Sequence, residues 1–387
     1  MATTIRRRAK GTGSVRERSK GKWELRYDGP PDASGKRPKV YESVRGSRRD
    51  AERVLRERLG VVDSGSYVPK SAETVAAFMF KWLDTYAATN TRLRTQAGYR
   101  HYVRRHINPA LGAIGVQSLR SPQIQKLYAA MLGRGLSPRT VRQCHTILKG
   151  ALGHGVMWGD LAHNPAERVT PPKVQKTVVK PWDVDTFYEF LGHAAESQFV
   201  NVYHVAVLTG LRRSELCGLK WTEVDLEKGE LRAIRTLQRI DGMGLVEDEP
   251  KSDRSRRTIA LSQIAVDVLK RVKVDLLERQ LAMGEGWRGQ GHVFTGLDGR
   301  PISGERLSRD FARIRRESGL PKLTLHGLRH TFVALLIAGG VHPRIIADMV
   351  GHSSSSFTMD VYGHLINGVQ EQAASAIDAS MGVAWSG

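Results

Sequence analysis

The stretch TLHGLRHTF, Thr324–Phe332, places two histidines four residues apart with an arginine between them, in a passage that predicts the start of a helix. His326 and His330 would share one helical face, as in the zinc motif HExxH, but Gly327 stands where that motif has its glutamate. A guanidinium inside a zinc shell would repel the metal, whereas arginine beside histidine suits a site that binds phosphate. The rest of the chain has to decide between a zinc site and a phosphate site.

The net charge of the chain is strongly positive and unevenly distributed. The 387 residues include 60 Lys and Arg against 39 Asp and Glu, a formal net charge of +21 with a pI near 10.2. Residues 1–60 contain 18 of these bases and 8 of these acids, so they carry nearly half of the excess. Such a distribution indicates a polyanion, first of all nucleic acid, as the partner. A basic surface that serves only solubility is the alternative.

Cysteine usage and hydropathy indicate a protein of the cytoplasm. Cys144 and Cys217 are isolated, which fits neither a disulfide framework nor a zinc ribbon nor a redox CxxC pair. The longest apolar run, Phe332–Val341, is well short of the roughly 18 residues that a membrane span needs. The start MATTIRRRAK lacks the apolar segment of a secretory signal. We therefore expect no membrane partner.

Length and the residue patterns along the chain predict a multidomain α+β fold. A small three-stranded sheet plus helix comes first, then a helical bundle domain, then a mixed, mainly helical domain with a small antiparallel sheet. The expected ranges are 1–62 for the first domain, 63–70 for a linker, 71–169 for the helical domain, 170–182 for a second linker, 183–366 for the third domain and 367–387 for a C-terminal helix and tail.

The first domain has the pattern of a DNA-binding sheet. Polar and apolar residues alternate along its predicted strands, which are separated by turn residues. Ser47 and Asp50 predict the capped start of a helix, and Gly60 predicts its end. An open sheet face of this kind could enter a major groove. A disordered basic arm is the alternative, against which Trp23 and Leu25 indicate a packed core. The candidate DNA contacts in the domain and its tail are Arg6, Arg7, Arg8, Arg16, Arg18, Lys20, Lys22 and Arg26.

The second domain begins with an amphipathic helix. Apolar residues recur at helical spacing from Val75 to Tyr86 and predict a core stripe. Further helices are expected around 95–107, 121–132 and 137–158. A cluster of arginines lies on the first of these or its approach, and we favour contact with the DNA backbone over a solvated charge run. These arginines are Arg92, Arg94, Arg100, Arg104 and Arg105.

Four separated stretches of the third domain offer cations or hydrogen-bond donors for phosphate. They are TGLRRSEL (Thr209–Leu216), PKSDRSRRTIAL (Pro250–Leu261), HGLRH (His326–His330) and VGHSSSSFTMDVYGH (Val350–His364). The start of the second stretch, which includes Lys251, is expected to lie between two strand-like runs, 230–240 and 256–261, with helices before and after them. A single short stretch of this kind arises easily by chance, but all four stretches in this order in one chain do not.

The four stretches resemble the active-site motifs of the tyrosine recombinase/integrase family, over about Pro181 to His364. The resemblance implies a DNA strand transferase. Two departures, Val350 and Val333, stand where the family usually has Leu and Ala or Ser, and they affect packing and not chemistry. The residues that the resemblance makes catalytic are Arg212, Lys251, His326, Arg329, His352 and Tyr362, with Glu215 as the acidic partner that orients them.

The chemistry of these residue types agrees with that assignment. The negative charge of a phosphodiester repels nucleophiles, so an enzyme without a metal must supply fixed cations, here Arg212 and Arg329. The Tyr362 phenol, with an ordinary pKa of about 10, needs a base, for which His326 is the candidate. Lys251 would protonate the departing 5′ oxygen, and His352 would hydrogen-bond the phosphate. No third zinc ligand has a recognisable spacing and no GxxxxGK[ST] loop is present, so we expect no metal, ATP or other cofactor.

Three assignments keep an alternative. His330 is expected to have a structural role. Lys220 and Lys228 compete with Lys251 for the role of the acid, because they are near it in sequence. The C-terminal helix, 367–380, packs either onto a neighbouring protomer or onto its own chain.

The expected function is that of a site-specific DNA recombinase, the integrase of a phage or similar element. It would work as a homotetramer on double-stranded DNA with core-type and arm-type attachment sites, in the cytoplasm of a bacterial host. A directionality factor and a host DNA-bending protein are candidate accessory partners. The rival functions are a monomeric tyrosine-dependent topoisomerase and a catalytically inert DNA-binding protein.

Overall fold

The structure, a computed structural model, describes residues 12–31, 34–65, 67–175, 180–249, 256–351 and 377–378. The chain divides into two compact units, Met1–Gln175 and Lys176–Gly387. Helices dominate both units and the described strands form small antiparallel sheets, so the expected α+β fold is confirmed. The domain and linker ranges expected from the sequence stay a prediction. None of the helices in the described part of the chain has the length and apolar content to cross a membrane.

The first unit opens with a three-stranded sheet backed by one helix. The elements are β1 (Ser14–Ser19), β2 (Lys22–Asp28), β3 (Lys39–Arg45) and α1 (Arg48–Asp63). Because alternate residues of a strand point to opposite faces, Leu25 and Tyr27 pack towards α1, where they join a core with Ala51 and Leu55. The other face of the sheet is open.

Helix α1 begins as predicted but ends later. The backbone N–H of Asp50 donates to Ser47 Oγ (3.3 Å), and the N–H of Ser47 donates to the Asp50 carboxylate (3.0 Å), which is a capping box. The prediction that Gly60 ends the helix is wrong. The helix continues to Asp63 because this extra turn buries Val62, which is 8% exposed, in the core.

The rest of the first unit is helical. Its helices are α2 (Val75–Trp82), α3 (Ala88–Asn90), α4 (Leu93–Tyr102), α5 (Asn108–Leu111), α6 (Ser121–Gly133) and α7 (Pro138–Met157). A π-helical turn joins α2 to α3 at Leu83–Ala87, and a second joins α4 to α5 at Val103–Ile107. The predicted apolar stripe is confirmed, because Phe78, Met79 and Trp82 lie in the core.

The second unit combines helices with a sheet and a hairpin. Its helices are α8 (Val184–His193), α9 (Val200–Thr209), α10 (Arg213–Gly218), α11 (Gln263–Met283), α12 (Gly304–Glu317), α13 (Gly327–Ala338) and α14 (Pro343–Val350). Its strands are β4 (Val224–Asp225), β5 (Glu230–Ala233), β6 (Thr236–Ile240), β7 (Gly244–Asp248) and β8 (Arg257–Ala260). The sheet has the order β4-β5-β8, and β6 pairs with β7.

The strand-like run 230–240 is two strands and not one. Strand β5 pairs with β4 and β8, whereas β6 belongs to the separate hairpin. Strand β6 packs so closely on α10 that a Cβ added to Gly218 would lie 2.9 Å from the backbone of Thr236 and Leu237. The chain therefore leaves the sheet between β5 and β6. Thr236 and Leu237 of β6 are buried against α10.

A glycine joins two of the motifs noted in the sequence. Helix α9 ends at Gly210, whose φ of 62° lies in the left-handed region. The ring of Phe332, from the middle of α13, packs onto this glycine so closely that an added Cβ would be 2.4 Å from it. The TGLR and RHTF motifs therefore fold as one junction, in which only glycine fits.

Replacing this glycine should destabilise the second unit. Gly210→Ala combines left-handed strain of about 1 kcal/mol with an overpacking cost of about 1–3 kcal/mol. Gly340→Ala is the matched control, because Gly340 has a φ of 74° and nothing within 4 Å of an added Cβ. Urea unfolding followed by tryptophan fluorescence should show a loss at Gly210 about 2 kcal/mol larger than at Gly340. Equal losses would contradict the close packing of Phe332.

Candidate active site

Arg212 and Glu215 form a local pair at the start of α10. Arg212 immediately precedes the helix, and its backbone N–H donates to Glu215 Oε2 (2.8 Å). The same arginine donates from Nη1 to Glu215 Oε1 (2.8 Å). A glutamate three residues after the helix cap can make such a contact, and it fixes the direction of the Arg212 side chain.

Glu215 is buried between two guanidinium groups. Its side chain is 2% exposed, and Arg257 from β8 donates to both carboxylate oxygens, from Nη1 to Oε1 (3.2 Å) and from Nη2 to Oε2 (2.9 Å). Burial alone would raise the pKa of Glu215, but the charge and hydrogen bonds of Arg257, followed by those of Arg212, lower it to about 2. The carboxylate is therefore ionised at any pH at which the protein works.

Arg329 approaches from α13 and is also buried, at 4% exposed. It donates from Nη1 to the carbonyl oxygen of Gly210 (2.7 Å) and from Nη2 to that of Val350. The residue thus connects the end of α9 with the end of α14. The arginines of the TGLR and HGLRH motifs, Arg212 and Arg329, are brought to the same place by these contacts.

Three arginines converge on the C-terminal end of α14. Arg257 Nε donates to the carbonyl of Met349 (2.6 Å), Arg329 to that of Val350, and Arg212 Nη2 to that of Gly351 (2.7 Å). The last carbonyls of a helix lack helical partners and form the negative end of its dipole, so cations stabilise them. We call these three arginines with their three carbonyls the α14 cap.

The two departures from the family pattern pack together beside the α14 cap. Val333 and Val350 are both fully buried and belong to one small core with Phe332 and Ile346. The guanidinium groups of the cap donate to backbone carbonyls and to Glu215, so they do not depend on the side chain present at either valine.

His326 and His330 lie beside the cluster. Their rings meet edge to face with centroids 5.3 Å apart. Within the described residues no group of three His, Cys, Asp or Glu side chains has an arrangement that could hold a metal ion. Desolvation first, and then the neighbouring His330 and Arg329, lower the pKa of His326. His326 is exposed to solvent, and screening by water weakens both effects but leaves the direction of the shift in its pKa unchanged.

Some candidates lie elsewhere or outside the described residues. Lys251, His352 and Tyr362, and also Arg6, Arg7 and Arg8, fall outside the described part of the chain. Arg213 turns towards α12, where its Nη1 donates to Ser308 Oγ (2.9 Å). Lys220 forms an ion pair with Glu247 (2.8 Å) and Lys228 is largely exposed beside Asp225, 3.8 Å away.

The DNA-binding candidates of the first unit are mostly exposed. Arg16, Arg18, Lys20, Lys22 and Arg26 all lie on the open side of the sheet or in its turn. Arg18 is held by Glu24 (2.7 Å). In the helical part, exposed positions are occupied by Arg92, Arg94, Arg104 and Arg105. Arg100 is half-buried and paired with Asp84 (2.6 Å).

The sequence prediction missed Arg257. It belongs to the RRTIAL run, where alternation along β8 places it on the same face as Ile259, which is fully buried. An arginine two residues before a buried isoleucine on a short strand points inward and needs a carboxylate partner. That alternation was the available signal, and the partner could only be found by tertiary contact.

Two family models match the chain. Residues 179–367 match the model of the phage integrase family, and residues 74–132 match that of the phage integrase N-terminal SAM-like domain. The two matches together span well over half of the chain. The chain belongs to the phage integrase family of tyrosine recombinases. Membership makes it a DNA strand transferase, as the four motifs imply.

Curated relatives share this family over most of their length. An integrase of Streptomyces ambofaciens is 28% identical over 386 residues, covering 96% of this chain and 97% of the relative. A protein named tyrosine recombinase XerC-like, from Caldanaerobacter subterraneus subsp. tengcongensis, is 28% identical and covers 83% of this chain and 86% of the relative.

Solved integrase structures share the fold. The Tn1549 transposon integrase in complex with a circular intermediate DNA has a TM-score of 0.64 at 22% identity, covering 75% of this chain and 95% of that chain. A lambda integrase dimer bound to a COC′ core site has a TM-score of 0.58 at 18% identity, covering 93% of this chain and 97% of that chain.

The lowered pKa of His326 can be measured directly. Because its folded pKa lies below the ordinary value of about 6.5, the imidazole should stay neutral as the pH falls through that value. An NMR titration of the DNA-free protein with ¹³C-labelled histidine should give a midpoint below about 6.5, assigned by the resonance missing from His326→Asn. A midpoint at or above the ordinary value would contradict the effect of desolvation, His330 and Arg329 on the pKa of His326.

Proposed function

We propose that this chain is an integrase that integrates and excises a phage or other mobile element by cleaving and rejoining DNA at specific sites. The observation that carries the proposal is the convergence of Arg212 and Arg329 at the α14 cap. The two arginines come from distant motifs, and His352 directly follows the last capped carbonyl in the chain. A phosphate of the DNA backbone is the ligand that such a pair of guanidinium groups fits.

In the proposed reaction the phenolic oxygen of Tyr362 attacks the scissile phosphorus. A bond forms between this oxygen and phosphorus, the bond from phosphorus to the 5′ oxygen breaks, and the 3′ phosphate is left on the tyrosine. Arg212 and Arg329 stabilise the charge on the non-bridging oxygens as it rises in the transition state. Glu215 keeps the Arg212 side chain in place.

Two proton transfers complete the step. The neutral imidazole of His326 takes the proton of the phenol, and the lowered pKa of this histidine supports its availability as a base. Lys251 donates a proton to the departing 5′ oxygen, and His352 hydrogen-bonds the phosphate. The pairing of Lys220 with Glu247 argues against Lys220 as the donor.

The covalent intermediate explains how strands are exchanged without an energy source. The phosphotyrosine bond conserves the energy of the phosphodiester, so a 5′ hydroxyl of another strand can reverse the step without ATP. Attack by water would instead leave a broken strand. We therefore expect a reaction that depends on neither ATP nor a metal ion.

The proposed partner is double-stranded DNA with core-type and arm-type sites. A lambda integrase tetramer bound to a Holliday junction is among the similar solved structures, which supports a homotetramer here. The open face of the β1-β2-β3 sheet is the proposed arm-type DNA-binding surface, and the arginines on or next to α4 are proposed to contact core-type DNA. A directionality factor and a host bending protein are proposed accessory partners, and the bacterial cytoplasm is the proposed location.

A covalent-adduct assay tests the proposed function. A nicked duplex carrying the attachment site, found by sequencing the junctions between element and host, should trap a phosphotyrosyl adduct of the protein. Tyr362→Phe should bind the same duplex and form no adduct, because only the nucleophilic oxygen is removed. EDTA should have no effect. No adduct from the unchanged protein would favour an inert DNA-binding protein, and site-independent relaxation of supercoils by a monomer would favour a topoisomerase.

The arm surface gives a second prediction. In a variant with Arg16→Gln, Lys22→Gln and Arg26→Gln, binding to arm-type DNA should depend less on salt, by up to about 0.9 in the log–log slope for each phosphate that the side chains no longer neutralise. Arg48→Gln with Arg53→Gln and Arg56→Gln is the charge-matched control, because it also removes three positive charges and all three arginines are exposed on α1. A slope that changes equally in both variants would contradict binding through the sheet.

A further inference from the structure

Arg257 has the contacts of a residue that positions the catalytic groups without touching DNA. We infer that Arg257 is a positioning residue for strand cleavage: it fixes the Glu215 carboxylate that holds Arg212, and it fixes the end of α14 from which the chain continues to His352. This inference rests on the proposed function, because it assigns Arg257 to the same site. None of the four motifs led us to expect this role.

The geometry gives Arg257 two separate attachments. One edge of its guanidinium group donates to both oxygens of Glu215, at 3.2 and 2.9 Å. Its Nε donates to the carbonyl of Met349, at 2.6 Å. A planar guanidinium can make these bonds at the same time because its donors point in fixed, different directions. Strand β8 is thereby joined to α10 and to α14 through a single side chain.

Exposure separates Arg257 from the phosphate-binding arginine next to it. The Arg257 side chain is 6% exposed, whereas that of Arg212 is 32% exposed. Both arginines bond the same carboxylate, and of these two Arg212 has the more exposed side chain. All three guanidinium nitrogens of Arg257 donate to Glu215 or to Met349, so we assign it a role in holding these groups and not in binding the phosphate.

Those groups matter in two ways. Glu215 must be ionised to hold Arg212, and Arg257 is the strongest influence that keeps the pKa of this buried carboxyl low. The Met349 carbonyl begins the α14 cap, so releasing it frees one of the three fixed points that precede His352. The effect on the pKa of Glu215 depends on the charge of Arg257. The contact with the Met349 carbonyl depends on the shape of its guanidinium group.

Two substitutions separate the two roles. Arg257→Lys keeps the charge beside Glu215, but one ammonium group cannot reproduce the fork that also reaches Met349. Arg257→Met loses both charge and fork at similar volume. Single-turnover cleavage of the nicked duplex at saturating DNA should be about ten- to a hundredfold slower for each variant, as expected for misplaced catalytic groups. The affinity for DNA, measured separately, should stay close to that of the unchanged protein.

The pH profile distinguishes positioning from a general loss of structure. In Arg257→Met the main charge that opposes the desolvation of Glu215 is gone and Arg212 still lowers its pKa, so the carboxylate should protonate at a higher pH than in the unchanged protein. The cleavage rate should then fall by up to about tenfold per pH unit below the new pKa, relative to the unchanged protein. Arg257→Lys keeps the opposing charge, so its rate should be low with an unshifted profile.

Arg235→Lys is the matched control. Arg235 lies between β5 and β6, and its Nε bonds the buried Glu223 (2.8 Å), whose side chain is 2% exposed, so the substitution alters a similar ion pair away from the α14 cap. Its cleavage rate and pH profile should match those of the unchanged protein. Circular dichroism and urea unfolding report whether each variant is folded, and Arg257→Lys provides the test if Arg257→Met does not fold.

The outcomes separate this inference from the proposed function. If the unchanged protein forms the adduct and both Arg257 variants cleave at its rate, the positioning role is overturned and the proposed function stands. The same follows if Arg257→Lys loses no more activity than Arg235→Lys. If the unchanged protein forms no adduct at all, the proposed function fails, and the inference fails with it.

Discussion

The site depends on the ion pairs that the buried Glu215 carboxylate forms with Arg212 and Arg257. Three guanidinium groups at the end of α14 repel one another, and Glu215 is the carboxylate that the structure shows bonded to two of them. The helix end and its three carbonyls offset part of the remaining charge. Removing one member of a buried ion pair typically costs about 3–5 kcal/mol, because the other charge is left without compensation. The fold thus holds positive charge at the place where we propose that a DNA phosphate binds.

Each of the four motifs contributes residues to this arrangement from a different part of the chain. Gly210 ends α9 and gives its carbonyl to Arg329, while Phe332 of the later motif packs on the same glycine. The α14 cap adds the C-terminal end of α14. A short motif carries little information alone, but the four together specify where strands and helices must meet. This explains why residues so far apart in the chain were assigned to one site.

Local pattern was sufficient for much of the fold and for several site residues. Helical periodicity predicted the core stripe of α2, and the capping residues Ser47 and Asp50 predicted the start of α1. Resemblance to a family indicated Arg212, Glu215 and Arg329, which the structure brings together. The end of α1 could not be predicted, because burial of Val62 in a tertiary core outweighs the preference of Gly60 for a helix end.

Features set by long-range packing were beyond the sequence pattern. The break between β5 and β6 follows from the close approach of β6 to Gly218, which no local signal records. Arg257 looked like one more base in a basic chain, since the carboxylate that it meets lies on a different element. Lys251, His352 and Tyr362 were indicated by motif alone and lie outside the described residues, so their roles stay predictions.

In the proposed reaction, fixed positive charge acts on the negative charge of the cleaved phosphate. Replacing that phosphate by a neutral methylphosphonate tests it most directly, through cleavage rates of the unchanged protein and of Arg212→Ala. On normal DNA the substitution should slow cleavage by about 10²–10³-fold, and on the neutral analogue by less than about tenfold, because the charge to be stabilised is gone. An equal loss on both substrates would contradict the account.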